Sequence, residues 1–213
     1  MTEIRMQMKW MRAAAIFLGA AVVLSGASAH AQFDVAASYF YPINTSTSGN
    51  GTNQHPKNST GVLAEFRYIR TPLMGFEISY SFNPADMSYT VNSGSCGLRC
   101  GNPPITVTSD NHMIGMNWIF TTKKKYAGFS PFGLAGLGFV ISEPNTNDYA
   151  LNSKVRLSAN YGGGVDFAFT PRLGIRGQVR GAAYSAPDLS ILYSPTHGTM
   201  QTIQPSIGIY FRP

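Results

Sequence analysis

Charge is what this 213-residue chain has least of. Asp, Glu, Lys and Arg make up 12% of it, against roughly 25% in an ordinary soluble domain. Disordered segments and coiled coils both need charge, and a chain with 11 Tyr, 13 Phe and 22 Gly is neither. Cysteine is scarce too: two residues are too few for a disulfide scaffold. Past residue 31 no apolar run reaches the ~18–20 residues of a membrane-spanning helix. Metal-ligand spacing is missing, since His30, His55, His112 and His197 stand far apart and no histidine lies close in sequence to Cys96 or Cys100. The net charge of +6 comes from scattered basic residues with one run, Lys123-Lys124-Lys125, and no nucleic-acid-binding motif accompanies it. No phosphate-cradling glycine loop is present either. No cofactor, metal or nucleic acid is therefore expected. What remains is one β-rich domain with unusually few charges to solvate its surface.

The first segment reads as an address. Arg5, Lys9 and Arg12 precede an apolar stretch from Ala13 to Leu24, and small residues follow, ending in Ala29-His30-Ala31. This three-part pattern predicts a secretory signal peptide over residues 1–31, cleaved between Ala31 and Gln32, with a single domain over 32–213. Outside the reducing cytoplasm, Cys96 and Cys100, separated by Gly97-Leu98-Arg99, are expected to form a small-loop disulfide. Such a bridge would contribute ~2 kcal/mol and stiffen a loop.

The apolar period of the remaining chain is two. Ala64, Phe66 and Tyr68 alternate with Glu65 and Arg67; Phe76, Ile78, Tyr80 and Phe82 alternate with Glu77, Ser79 and Ser81. Ile114, Met116, Trp118 and Phe120 face away from Gly115 and Asn117. Val165, Phe167 and Phe169 oppose Gly164 and Asp166, and Ile175, Val179 and Ala183 oppose Arg176, Gln178 and Arg180. The last segment sets Ile203, Ile207, Ile209 and Phe211 against Thr202, Gln204, Ser206 and Tyr210, with Pro205 predicting a bulge. Adding Phe33–Tyr41 and the glycine-rich Phe129–Ile141 predicts eight strands of about 9–13 residues.

Connections alternate in length. Thr71–Met74, Thr122–Gly128 and Thr170–Leu173 are short, while Pro42–Thr60, Pro84–Asp110, Ser142–Lys154 and Ala186–Met200 are long and polar. All the long loops then leave one end of an up-and-down sheet, as in outer-membrane barrels. The first, Asn44 to Asn53, is polar and uncharged and is expected to be a mobile surface loop. One face of the strands is aliphatic and aromatic, with no charge in the strand middles; Arg70 shares its parity at a strand end. The other face carries Asp34, Glu65, Arg67, Glu77, Asp166, Arg176 and Arg180. A charge facing lipid at mid-bilayer costs ~2–4 kcal/mol for Arg or Lys, so the apolar face is the lipid face and the charges line the lumen. The fold class is all-β, an eight-stranded antiparallel up-and-down transmembrane β-barrel.

Topology, alternation, the glycine-rich fifth strand Phe132–Phe139 and the ending Ile207-Gly208-Ile209-Tyr210-Phe211 resemble the small OmpA-like/OmpX-like outer-membrane barrels. The resemblance covers residues 32–213; the chain differs from the family's assembly signal in carrying Arg212 and Pro213 after the aromatic Phe211. It implies the outer membrane of a Gram-negative-type bacterium, outer-membrane lipid as surroundings, a monomer, and a structural or surface-interaction (adhesion-type) role with a possible ligand on the loops.

Two other functions compete. The three lumen arginines, swinging between acidic partners, could gate a narrow porin-like channel. An outer-membrane hydrolase or acyltransferase would draw on Asp188, Ser190 and His197 in the fourth long loop, or on the acid–imidazole pair Asp110 and His112. Neither set comes with a nucleophile elbow, and no catalytic residue is assigned. A membrane barrel is expected to migrate at different apparent masses in detergent gels of the outer-membrane fraction before and after boiling. A soluble periplasmic protein without that shift overturns the reading.

Overall fold

The computed structural model describes residues 32–71, 73–91, 105–122, 128–145, 153–189 and 196–213. The expected signal peptide with Ala31, the expected Cys96–Cys100 disulfide, Ser190 and the lysine run at 123–125 lie outside the described residues. Eleven strands and no helix occur among them: β1 Gln32–Phe40, β2 Ile43–Asn44, β3 Thr47–Gly49, β4 Thr52–Pro56, β5 Gly61–Thr71, β6 Met74–Val91, β7 Ile105–Thr121, β8 Phe129–Pro144, β9 Lys154–Ala168, β10 Leu173–Ser185 and β11 Thr199–Phe211.

Eight of these strands close a ring in the order β6-β5-β1-β11-β10-β9-β8-β7, with β7 returning to β6, every pair antiparallel. First and last strands meet from Val35↔Phe211 to Phe40↔Ser206. The short turns gather at one end. Two of them begin Thr-Pro in sequence, and in both the threonine hydroxyl accepts from the backbone N–H three residues on: Met74 N donates to Thr71 Oγ1 at 3.0 Å and Leu173 N to Thr170 Oγ1 at 2.9 Å. A turn that satisfies its own backbone in this way stays short. Along β8 the glycines let the strands close up, for a Cβ on Gly136 would collide with the Met116 carbonyl of β7.

Three details differ from the reading of the sequence. The segment expected to be a mobile loop holds β2, β3 and β4. β2 pairs with β11, and the β3–β4 hairpin extends the sheet from β6, Thr52↔Val91 to Pro56↔Met87. Small polar residues carry no alternation, so these strands left no periodic trace. Pro205 makes no bulge: β10 and β11 stay in register through Val179↔Pro205. Its carbonyl accepts from Tyr41 N at 3.2 Å, beside Pro42, where β1 stops, so the missing N–H falls where the ladder already ends. The register shift of β5 against β6 lies instead between Ile69 and Thr71.

The third difference is length. Crossing a bilayer takes ~9–11 residues of tilted strand, but β6, β7 and β8 have 18, 17 and 16. Their outward faces mark where the membrane stops. On β6, Phe76, Ile78, Tyr80 and Phe82 give way to Pro84, Asp86 and Ser88; on β7, Phe120, Trp118, Met116 and Ile114 give way to His112, Asp110 and Thr108. On β8 the change falls between Ile141 and Glu143. At the same level the inner face of β6 reverses, from Glu77, Ser79, Ser81 and Asn83 to Ala85, Met87 and Tyr89. Below this level the barrel is polar inside and apolar outside; above it the chemistry is that of a soluble barrel. The projecting wall is one-sided, because β1 has only nine residues.

This boundary predicts two outcomes for one added charge on β7. Met116→Lys, within the band, is expected to destabilise the folded barrel by ~2–4 kcal/mol. Thr108→Lys, four residues beyond His112 on the same face, is expected to change stability by less than about 0.5 kcal/mol. Urea unfolding in lipid vesicles measures both, and equal effects would place the boundary elsewhere.

Candidate functional site

The ring directs the side chains of Asp34, Glu65, Arg67, Glu77, Asp166, Arg176 and Arg180 into the lumen, where all seven are buried. Strand pairing sets two of the contacts, Arg67↔Glu77 and Arg176↔Asp166, which are cross-strand neighbours; others reach across the lumen. Arg176 meets Asp166 with two parallel donors, Nε to Oδ1 at 2.8 Å and Nη2 to Oδ2 at 2.9 Å, and Nη2 also donates to Asp34 Oδ1 at 3.0 Å. Arg67 donates from Nε to Glu77 Oε2 at 2.6 Å and from Nη2 to Glu65 Oε1 at 3.2 Å. Arg180 reaches down from Nη1 to Glu65 Oε1 at 3.0 Å and from Nη2 to Glu77 Oε1.

Neutral groups add further hydrogen bonds to Glu65 and Glu77. Gln178 Nε2 donates to Glu65 Oε2 at 3.0 Å and Asn117 Nδ2 to Glu77 Oε1 at 2.9 Å. Beneath them sits a small apolar floor of Ile119, Phe132 and Leu134. The Arg67 guanidinium lies 4.1 Å from the Phe132 ring centroid, within cation–π range.

The inward set read from the sequence holds four acids against three arginines, and the structure adds the fourth cation. Arg212 folds back under the barrel, its backbone N–H donating to Arg172 O at 2.7 Å. Its Nη2 lies 3.6 Å from Asp34 Oδ2 and its guanidinium 5.1 Å from the Tyr210 ring centroid. Position after the final aromatic was the only signal for Arg212, and alternation does not reach past the strand end. Asp34, Glu65, Glu77 and Asp166 are thus matched by Arg67, Arg176, Arg180 and Arg212. Buried charge must be matched, because an unpaired ion in low dielectric is strongly destabilising even where the pair itself adds little.

Above the network the lumen narrows to a cavity of about 20 Å³, bordered by Ser79, Ser81, Met113, Asn160, Arg180 and Gln204. That is room for about one water molecule. Higher still, beyond the membrane boundary, Met87, Tyr89, Val107, Val140, Ala182, Tyr184 and Met200 form an apolar core, into which Ala186 and the fully buried Leu189 insert from the last long connection. Gln54 of β4 ties this cap down: its Nε2 donates to Pro187 O at 2.6 Å and to Tyr89 Oη at 3.3 Å, while its Oε1 accepts from Thr196 Oγ1 at 3.2 Å. Leu189 N donates to Tyr89 Oη at 3.0 Å. Burial pushes the Tyr89 phenol well above its ordinary pKa, so this hydroxyl stays protonated. The connection Pro42–Thr60 supplies the buried Gln54, one residue past the Asn44–Asn53 stretch expected to be mobile, and Gln54 bridges three neighbours.

Ser190 lies outside the described residues, and no hydrogen bond or ion pair joins Asp188 to His197 or Asp110 to His112. Asp188 is half-buried beside Leu189, and His197 is exposed with φ of 52°. Asp110 and His112 point outward; Asp110 Oδ2 accepts from Asn145 Nδ2 at 2.8 Å, and His112 Nδ1 lies 2.7 Å from Tyr80 Oη. His112 also stacks on Phe82, 5.1 Å between centroids, at the level where the outward face turns polar.

Replacing Arg176 by Met, which strands Asp34 and Asp166, is expected to destabilise the barrel by ~3–5 kcal/mol. Arg212→Met is expected to cost less, its side chain being 18% exposed. The double replacement Arg67→Met/Glu77→Leu should cost less than the sum of the single ones. Unfolding midpoints in vesicles decide it; strict additivity would mean that these groups do not act as a unit.

A family model described as outer membrane protein beta-barrel domain matches residues 13–208. No curated protein sequence matches the chain. Three solved structures share the fold. Neisserial surface protein A is 14% identical, with 84% of this chain and 96% of that one covered, at a TM-score of 0.57. The N-terminal β-barrel domain of Pseudomonas aeruginosa OprF is 14% identical, with 86% and 99% covered, at 0.51. The outer membrane protein OprG from Pseudomonas aeruginosa is 12% identical, with 85% and 95% covered, at 0.54. At these identities the likeness is one of architecture.

Proposed function

The chain belongs to the outer membrane protein β-barrel domain family, and from that premise we propose a structural and surface-interaction role of the adhesion type, carried by the half of the molecule outside the lipid. The protein resides in the outer membrane of a Gram-negative-type bacterium. Short turns then face the periplasm and long connections face outward.

The observation that carries the reading is the filling of the lumen at two levels. A matched charge network occupies the membrane level and an apolar core closes the outer mouth, with space for about one water between them. Such a lumen favours a rigid support over a conduit. The same apolar core stiffens the projecting wall of β6, β7 and β8, with the β3–β4 hairpin on its flank. Its outward residues, among them Ser88, Thr90, Thr106 and Thr108, are short and polar and offer hydrogen bonds to a ligand surface without much side-chain ordering. The eight-strand ring leaves no open edge within the membrane to recruit a second copy, which supports a monomer. The role includes no catalytic step.

Surface display in a non-adherent bacterium tests the proposal. Cells bearing the protein are expected to bind host-cell or matrix surfaces. Replacing Thr47–Gln54 by a Gly-Ser linker should return binding to that of cells without the barrel, with heat-dependent gel migration unchanged. In planar bilayers the refolded protein should give no discrete openings. Binding that survives the replacement, or steady single-channel steps, would refute the role.

A further inference from the structure

Arg70 is the exception to the apolar outer wall. It lies on the exposed face of β5 at the turn end, in line with Tyr68, Phe66 and Ala64. It makes no hydrogen bond, ion pair or ring contact with any described residue, whereas the lumen arginines each have several. The wall beside it is hollow. A groove of about 660 Å³ runs over the start of β6 between Arg70 and Trp118, walled by Tyr68, Leu73, Met74 and Phe76. The register shift of β5 at Ile69/Thr71 lies at its edge. Leu73, Met74 and Trp118 are each 50% exposed or more. No Asp or Glu occurs among the described lining residues.

We propose that this groove holds a single anionic phospholipid of the periplasmic leaflet, its phosphodiester on Arg70 and the top of its acyl chain along Leu73, Met74, Phe76 and Trp118. The inference rests on the outer-membrane location and is independent of the adhesion-type role. The chemistry selects the occupant. A lone guanidinium at the lipid–water boundary is complemented by an oxyanion, and a phosphodiester offers two acceptor oxygens to its planar fork. Tyr and Trp at that depth are amphipathic and place a polar edge beside the headgroup. The volume is that of a small-molecule site. With one cation and no acid in the lining, nothing receives an ammonium. A phosphatidylglycerol headgroup therefore fits better than phosphatidylethanolamine.

Native mass spectrometry of the full barrel released from detergent micelles, with each phospholipid added separately at equal concentration, tests this. One phosphatidylglycerol is expected to be retained about fivefold more than phosphatidylethanolamine, the worth of one interfacial arginine facing an anionic headgroup. Arg70→Gln should bring the two lipids level. Leu73→Glu, which leaves Arg70 in place but sets a carboxylate in the groove, should do the same. Arg172→Gln removes a cation from the exposed turn before β10, outside the groove, and should leave the preference intact. Gel migration before and after boiling verifies that each variant is folded. The proposal is overturned if the parent protein retains both lipids alike, if either groove variant keeps the preference, or if Arg172→Gln loses it too.

Discussion

Lipid offers no hydrogen-bond partner to a peptide group, so the sheet must return to its own first strand before it is stable in the membrane. The pairing of β1 with β11 meets that demand, joining residues near 35 to residues near 210. Everything else inherits its geometry. Closing eight strands leaves an interior about as wide as the side chains that fill it, which brings Arg176 of β10 within reach of Asp34 of β1, and Arg180 within reach of Glu65 of β5. Neither pair exists until the ring closes. The charges are a product of closure as well as a filling for it.

The scarcity of charge follows from this arrangement. A surface at mid-bilayer can carry none, the lumen at membrane level carries a matched set, and the rest sits towards strand ends, turns and connections. The membrane-level network balances only when Arg212 is included, so the residue that breaks the family's usual strand ending completes the electrostatics of the barrel floor.

How far the sequence could be read depended on which solvent each residue met. The lumen faces of β5, β6 and β10 were legible because Glu65, Arg67, Glu77, Arg176 and Arg180 alternate with large apolar residues, and only a lipid–lumen partition explains such a pattern. Ala85, Met87 and Tyr89 keep the same inward parity with opposite chemistry. A rule that equates inward with polar therefore loses the strand at Asn83 and reports a loop. The β3–β4 hairpin was hidden for a different reason: Thr47, Thr52 and Gln54 are buried by hydrogen bonding and close packing, for which hydropathy has no sign. Pro205 misled because its effect depends on where β1 ends, at Phe40, which only strand pairing brings beside it. Arg70 was visible as an anomaly of parity, but the groove beside it lies at a register shift that no pattern announces.

The projecting wall has a geometric consequence for anything that meets the cell surface. Strands β6 to β8 stand proud of the lipid while β1 stops near it, so the outer end is a bluff on one flank and a slope on the other. A ligand that lies against the bluff is held side-on, at a fixed azimuth about the barrel axis. Rotating the barrel in the plane of the membrane would turn the bluff away from that ligand, so an attachment of the proposed kind would be directional.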